Sequence, residues 1–207
     1  MQHLRELLAR QLDWEAAHVG FARAVADFPP ELRGVTPAGF AHSCWEFLEH
    51  LRLAQADILA FCVDPDYVEP TSMDEYWPAE AAPPDDAAWD ASIAAFEADV
   101  HALQALVLDE GTDLFAPVPA GNGQTYLREL LLTADHNAYH LGQFVALRRG
   151  LGCLPEGLAC ATSPPISPSC ALSPASSGRA TPTTSFRSGW LTWTCLRLRR
   201  LPRRSAT

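Results

Sequence analysis

The sequence has 207 residues and a formal net charge of −10, with 25 acidic residues, 15 arginines and no lysine. Residues 1–150 carry 24 of the acidic residues but only 8 of the arginines, and such an acidic part argues against binding to nucleic acid, which needs clustered positive charge. The start of the chain, MQHLRELLARQLDWEAA, has no continuous apolar run, and no segment reaches the roughly 18 apolar residues of a membrane-spanning helix, so we expect a cytoplasmic protein without a signal peptide or membrane contact.

A first helix is predicted from about His3 to Phe28. Residues that would face inward recur there at spacings of three and four, which is the pattern of one helix face. They are Leu4, Leu7, Gln11, Trp14, His18, Phe21, Val25 and Phe28. The sequence FPPE ends the helix, because proline has no amide hydrogen and restricts the residue before it.

A second helix is predicted to begin after Ser43 and to end near residue 64. Ser43 and Glu46 form the S-x-x-E pattern of a capping box, in which each side chain binds the other residue's backbone amide. Cys44 and Cys62 lie in this helix, and the sequence contains no C-x-x-C pair, so we expect both thiols to be reduced. The helix N-terminus could stabilise a thiolate at Cys44, but a small buried residue is the favoured interpretation of both cysteines.

Two more helices follow a proline-rich connection, YVEPTSMDEYWPAEAAPPDD, which is long enough to suggest a functional loop or a lid. The third helix begins at Asp85 or Asp86, and Thr125 can cap the fourth, which should end just before Gly150. The apolar seam of the third helix consists of Trp89, Ile93, Phe96, Val100, Leu103 and Val107. Since no alternating strand pattern is present, the predicted fold is all-α, a four-helix bundle.

The composition changes after Gly152. Ser, Thr and Pro supply 23 of the last 57 residues but only 18 of the first 150, and the last 57 residues carry 7 arginines and one glutamate. Such a segment cannot bury enough apolar surface to fold. We therefore divide the chain into a bundle domain, residues 1–152, and a basic low-complexity tail, residues 153–207, which we expect to be disordered or the product of out-of-frame translation.

Two histidines of the fourth helix, His136 and His140, lie one turn apart in ADHNAYHLGQ. Residues at i and i+4 share a helix face, so both rings could reach one metal ion, but two polar residues can have the same spacing without a metal. A catalytic zinc site needs a third protein ligand. His50 lies on the inward face of the second helix, and His18 lies on the stripe of the first. The remaining histidines are less well placed: His3 at the terminus, His42 before the second helix and His101 off the seam of the third.

Three stretches of the sequence, SCWEFLEHLRLAQADIL, YWP and GQTYLRELLLTADHNAYHLGQFVALRRGLG, resemble the DinB/YfiT-like family of metalloproteins. The resemblance covers residues 1 to about 152 and is specific, because motifs on two separated helices agree in their order. It implies a four-helix bundle that binds one divalent metal ion through three histidines. One of them stands in a W-x-x-L-x-H-L context, here His50, and the other two are His136 and His140.

The resemblance also implies a range of chemistry. Three neutral imidazoles leave one exchangeable position on a bound ion. Zinc or nickel is the expected metal. Family members include thiol S-transferases and thiol-dependent isomerases, and others are assigned as metal-dependent hydrolases. We therefore expect a metal-dependent transferase or hydrolase that acts on a small molecule, with a low-molecular-weight thiol as one option. The alternative is a non-catalytic metal-binding bundle with a structural or stress-response role, and a homodimer is compatible with both.

Glu129 is the candidate catalytic residue. It lies seven residues before His136 on the same helix face, where it could hydrogen-bond a ligand or handle protons, although an Arg/Glu pair on a solvated face is an equal alternative. Glu46 and Asp135 are further carboxylates close to the ligands in sequence. His18 could form a pocket wall or an extra ligand, but a histidine hydrogen-bonded inside the bundle is the favoured interpretation. Gln143 and Asn137 could hydrogen-bond to a ligand, although Asn137 could instead face outward. Trp45, Tyr76, Trp77 and Tyr139 could line the mouth of the site, but packing in the bundle is the favoured interpretation of the tryptophans.

Overall fold

The structure of the protein, a computed structural model, describes residues 1–13, 15 and 17–155. This part of the chain contains five α-helices and no β-strand. The helices are α1, Gln2–Gln11; α2, Phe21–Val25; α3, Cys44–Val63; α4, Asp86–Leu108; and α5, Tyr126–Gly150. Short 3-10 helices lie in the connections at Pro30–Leu32 and Met73–Tyr76. The predicted all-α fold is confirmed.

Four of the helices form the bundle. α3 packs against α4 and α5, and α1 closes the arrangement by packing against the same two helices. Every helix contributes buried apolar side chains to one core, for example Leu8, Phe21, Leu48, Phe96 and Phe144. The apolar face of each helix is thereby removed from water, which is the main favourable contribution to folding.

The extent predicted for the first helix is wrong. α1 ends at Gln11, and the separate short helix α2 begins after its N-cap, Gly20. The face that α1 buries also differs from the predicted stripe, because Leu4 and Leu7 are 36% and 38% exposed while Arg5 is buried. Trp14, which also belonged to the predicted stripe, lies outside the described residues.

The buried guanidinium of Arg5 explains the orientation of α1. It donates hydrogen bonds of 2.6–2.9 Å to three backbone oxygens at and beyond the end of α4, those of Val107, Asp109 and Thr112. The last carbonyls of a helix have no partner within it, so a cation is favoured at that position. Apolar periodicity could not predict this face, because it assigns arginine to the solvent.

The predicted start of α3 is confirmed. The Ser43 hydroxyl accepts from the Glu46 amide at 3.2 Å, and the Glu46 carboxylate accepts from the Ser43 amide at 2.7 Å, which completes the capping box. Cys44 and Cys62 are free and buried. Burial raises the pKa of both thiols, that of Cys62 to about 12, so both are neutral core residues at physiological pH.

α4 and α5 start where the sequence predicts, with Asp85 and Thr125 as their N-caps. Within the described residues, α4 is long and apolar enough to cross a membrane, a property that was not predicted from the sequence. The core helix of a soluble protein meets the same criteria of length and composition, so this is weak evidence for a membrane span. α5 includes Gly150, which was predicted to lie just beyond its end. Gly152 follows the helix instead with φ +71°, a left-handed conformation that glycine adopts without strain.

All described residues belong to one compact unit of the chain, Met1–Ala161. The predicted tail, residues 153–207, lies outside the described residues apart from its first three, so its disorder and its boundary at residue 152 stay predictions.

Candidate metal centre

His50, His136 and His140 meet between α3 and α5. The capping box fixes the start of α3, and His50 follows about two turns later, while the other two histidines lie one turn apart on α5. All three are buried, with 7–9% of each residue exposed. Their Nε2 atoms converge, since that of His50 lies 3.2 Å from that of His136 and 3.2 Å from that of His140.

The spacing of these nitrogens fits a tetrahedral metal ion. Two nitrogens that each lie about 2.0–2.1 Å from a tetrahedral zinc ion are about 3.3 Å apart. The three candidate ligand atoms lie within 4.8 Å of one another. Imidazole nitrogen suits zinc, nickel, copper and iron, so the donor set fits a divalent ion without identifying it.

The second nitrogen of His50 determines which nitrogen can bind a metal. Nδ1 lies 3.0 Å from the backbone oxygen of Tyr76, which can only accept a hydrogen bond, so Nδ1 carries the proton. Nε2 of His50 therefore presents a lone pair toward the other two rings. Metal-binding histidines are usually held in this way, by a carbonyl or carboxylate on the opposite nitrogen.

A relay of buried amides orients His136. The backbone oxygen of Phe96 accepts from Nε2 of Gln55 at 2.8 Å, so Oε1 of Gln55 faces Asn137 and accepts from its Nδ2 at 2.7 Å. Oδ1 of Asn137 therefore faces Nδ1 of His136, from which it accepts a long hydrogen bond of 3.5 Å. Because the relay begins at a carbonyl that can only accept, it assigns the proton to Nδ1 and leaves a lone pair on Nε2 of His136.

His140 is the least constrained of the three. Among the described residues, neither its Nδ1 nor Oε1 of Gln143 has a hydrogen-bond partner, although both atoms are buried. Gln143 nevertheless lies close enough to raise the pKa of His140 against larger opposing effects.

Burial keeps the three imidazoles neutral. It lowers the pKa of His50 to about 4, against the weaker raising effect of the hydrogen bond to Tyr76. Burial and the neighbouring rings lower the pKa of His140 to about 3, and burial also lowers the pKa of His136. Neutral imidazole is the form that binds metal ions, so at pH 7 no proton has to be displaced from these ligands.

The connection between α3 and α4 contacts the site. The indole of Trp77 stacks on the ring of His50, with ring centroids 4.1 Å apart and planes 7° from parallel. His42 stacks in turn on Trp77, with centroids 4.0 Å apart. The half-exposed Tyr139 lies edge-on to His140 at 4.9 Å. Aromatic rings therefore lie against His50 and His140, among them Trp77 and Tyr139, two of the residues that the sequence suggested could line the site.

The sequence matches the DinB superfamily over residues 13–144, a range that contains all three histidines. The chain belongs to the DinB superfamily. No curated protein and no solved structure shows significant similarity to it. The family assignment made from the motifs is therefore confirmed, and the histidine cluster of this DinB protein is compatible with metal binding.

The carboxylates that lie near the ligands in the DinB sequence have other contacts in space. Glu129 is buried and accepts from Arg128 at 2.6 Å, but the Arg128 side chain is 37% exposed, so the pair joins a buried carboxylate to a partly exposed guanidinium. It lies two helical turns, about 10 Å along the axis, from His136. Glu46 belongs to the capping box, and Asp135 is exposed. None of these groups lies with the three histidines, and a catalytic role of Glu129 stays a prediction.

The remaining histidines do not join the ligand cluster. His18 is exposed, and its Nδ1 lies 2.8 Å from the backbone oxygen of Val19, so its predicted place inside the bundle is wrong. It lines a separate cleft beside Asn137. His3 and His101 are also exposed.

Several contacts that support the ligands were not predicted from the sequence. Tyr76 contributes its backbone oxygen, which no sequence pattern could indicate. Gln55 and His42 were not considered as partners, although a fully buried glutamine in an otherwise apolar helix face is a detectable signal once the face is known. Trp45 packs in the core, which is the interpretation favoured for the tryptophans, and it tilts against Trp89.

Proposed function

We propose that this DinB protein binds one divalent metal ion through His50, His136 and His140 and uses it as a Lewis acid in a metal-dependent transferase or hydrolase reaction. The convergence of the three Nε2 atoms carries the proposal. For His50 and His136 the proton is assigned to the opposite nitrogen, so lone pairs face each other across 3.2 Å with no hydrogen between them. Lone pairs in this arrangement repel unless a cation lies between them, and zinc or nickel is the cation we propose.

The chain's own residues would then bind and orient the substrate. An ion with three protein ligands keeps a position for substrate, where it can polarise a carbonyl or acidify a bound water or thiol. The Tyr139 hydroxyl lies 3.4 Å from Nε2 of Gln143, and these two hydrogen-bonding groups flank His140. Phe47 and Trp77 supply apolar walls on the ligand rings, which favours exclusion of water.

A small molecule is the substrate class we propose. The ligand rings are less than a tenth exposed, so only a small reacting group could reach an ion between them. A low-molecular-weight thiol is the candidate for S-transfer, and an ester or amide bond is the candidate for hydrolysis. The proposal includes a cytoplasmic location without a nucleic-acid or membrane partner, and it is compatible with a homodimer.

A non-catalytic metal-binding bundle is the second candidate. The burial of all three rings and the stacked indole over His50 would also suit a closed structural site. In that case the ion would be fully coordinated by the protein and would act by stabilising the fold of a structural or stress-response protein.

Metal analysis of the full-length protein tests the proposal. Zinc-free protein is loaded with zinc or nickel, dialysed and analysed for bound metal beside His50→Ala and His101→Ala, the second being an exposed histidine outside the site. We expect about one equivalent in the wild type and in His101→Ala, and loss of the metal in His50→Ala. No bound metal in the wild type would refute the proposal, and binding retained in His50→Ala would place the ion elsewhere.

Activity assays then separate the two candidates. The metal-loaded protein is assayed for thiol transfer to an activated electrophile and for hydrolysis of activated esters and amides. Turnover that depends on the metal and is absent in His50→Ala supports an enzyme. An ion whose coordination is filled entirely by protein atoms would instead support the structural candidate.

A further inference from the structure

We propose that Trp77 is a positioning residue of the metal centre, and that a bound ion and the segment around Trp77 stabilise each other. We call residues 71–77 the strap. This role rests on the proposed metal binding by His50. In it, the strap holds the His50 ring in place and thereby sets the metal affinity of the site.

The strap fixes the ring of His50 in two independent ways. The backbone oxygen of Tyr76 accepts from Nδ1 at 3.0 Å, which sets the direction of the ring within its own plane. The indole of Trp77 lies parallel to that plane, 7° from it and 4.1 Å away, which sets the tilt of the ring. Two neighbouring residues of one short segment therefore determine where Nε2 of His50 points.

His42 closes the other side of the indole. Its ring lies 4.0 Å from that of Trp77 and 16° from parallel. Two rings that each stack at about 4 Å on one indole must occupy opposite faces, because side by side on one face they would overlap. Nδ1 of His42 lies 3.0 Å from Glu46, a residue of the α3 capping box. The indole is therefore held between two imidazoles that are both anchored to α3.

The strap is also anchored by its own hydrogen bonds. The carboxylate of Glu75 accepts from the amides of Thr71 and Ser72 at 2.8 Å and 2.9 Å, which caps the 3-10 turn. The Tyr76 hydroxyl donates to Asp57 of α3 at 2.9 Å. These contacts present Trp77 to His50 before any ion binds, so less ordering is needed when the ion arrives. By thermodynamic reciprocity, an ion that fixes His50 stabilises the strap by the same factor.

Two variants of Trp77 test the positioning role in the full-length protein. Trp77→Leu removes the aromatic face, whereas Trp77→Phe keeps a smaller one, and Phe115→Leu is the control at an exposed aromatic residue. Zinc affinity is measured by competition with a chromophoric chelator. We expect about tenfold weaker binding in Trp77→Leu, a much smaller change in Trp77→Phe and none in Phe115→Leu, because partners of metal ligands typically change affinity about 10–100-fold.

Hydrogen exchange provides a readout that simple packing would not change. Zinc should slow exchange of the strap amides in the wild type and fail to do so in Trp77→Leu, while the zinc-free thermal midpoints of the Leu and Phe variants stay close. If the wild type binds zinc but Trp77→Leu binds it as tightly, or if zinc leaves strap exchange in the wild type unchanged, the positioning role is refuted and metal binding stands. If the wild type binds no zinc, both proposals fail. Should Trp77→Leu not fold, strap exchange in the wild type with and without zinc decides.

Discussion

Replacing Asn137 by alanine should weaken both the bundle and its metal affinity. Its amide joins two buried groups, since Nδ2 donates to Oε1 of Gln55 at 2.7 Å and Oδ1 accepts from Nδ1 of His136 at 3.5 Å. Gln55 is 0% exposed, so its Oε1 would lose a partner without gaining water, which costs about 1–3 kcal/mol. The 3.5 Å hydrogen bond between Asn137 and His136 contributes less to stability, but its loss frees the His136 ring. Loss of a hydrogen-bond partner of a metal ligand typically weakens metal affinity by about 10–100-fold.

Two measurements separate these effects. Urea denaturation of zinc-free protein should show a loss of about 2 kcal/mol in the free energy of unfolding. Chelator competition should show weaker zinc binding. Asn137→Asp is the matched control, because its carboxylate can still accept from His136 but cannot donate to Gln55, so it should lose stability and retain more of the zinc affinity. If Asn137→Ala changed neither quantity, the amide relay would not orient His136.

Acidification should destabilise the zinc-free protein. Burial lowers the pKa of His50 to about 4 and, with the neighbouring rings, that of His140 to about 3. Below the ordinary imidazole pKa of 6.5 the unfolded chain therefore binds more protons than the folded one. The free energy of unfolding should fall as the pH drops from 6.5 to about 4. Urea titrations across this range check the slope, and a flat profile would contradict the neutral buried rings. Arg148→Met should lower the free energy of unfolding by about 3 kcal/mol or more, measured by urea denaturation, because the buried guanidinium donates to four backbone oxygens. A decrease of less than about 1 kcal/mol would mean that water replaces the guanidinium as the donor to these oxygens. Gly34→Ala should loosen the connection between α3 and α4 and speed hydrogen exchange in residues 78–84, because a Cβ on residue 34 would lie 2.9 Å from Cα of Ala82. Unchanged exchange in these residues would show that the backbone adjusts without cost.

The helices with chemical signals at their ends could be predicted closely. Ser43 with Glu46, and Thr125, satisfy amides that a helix start leaves without partners, so these residues mark where α3 and α5 begin. No capping pattern of this kind marked the break within the predicted first helix. Phe21 and Val25 are buried as their spacing predicts, but they reach the core from α2, because apolar spacing does not record whether the chain between two buried segments is continuous.

The three histidines could be predicted because they lie in motifs of fixed spacing, whereas most of their partners could not. Tyr76 contributes a backbone oxygen, which any residue would possess at that position. Gln55 and His42 reach the site only after α3, α4 and the connection between them have packed. Glu129 shares the helix face of His136, but the seven residues between them correspond to two turns, about 10 Å along the axis.

Locating the ion is the most direct test of the metal centre. Crystals of the zinc-loaded full-length protein are measured on both sides of the zinc absorption edge, and the anomalous difference map shows where zinc is bound. We predict one strong peak about 2.0–2.1 Å from Nε2 of each of His50, His136 and His140. A peak at another group of residues, or no peak between these three rings in zinc-loaded crystals, would contradict the three-histidine metal site.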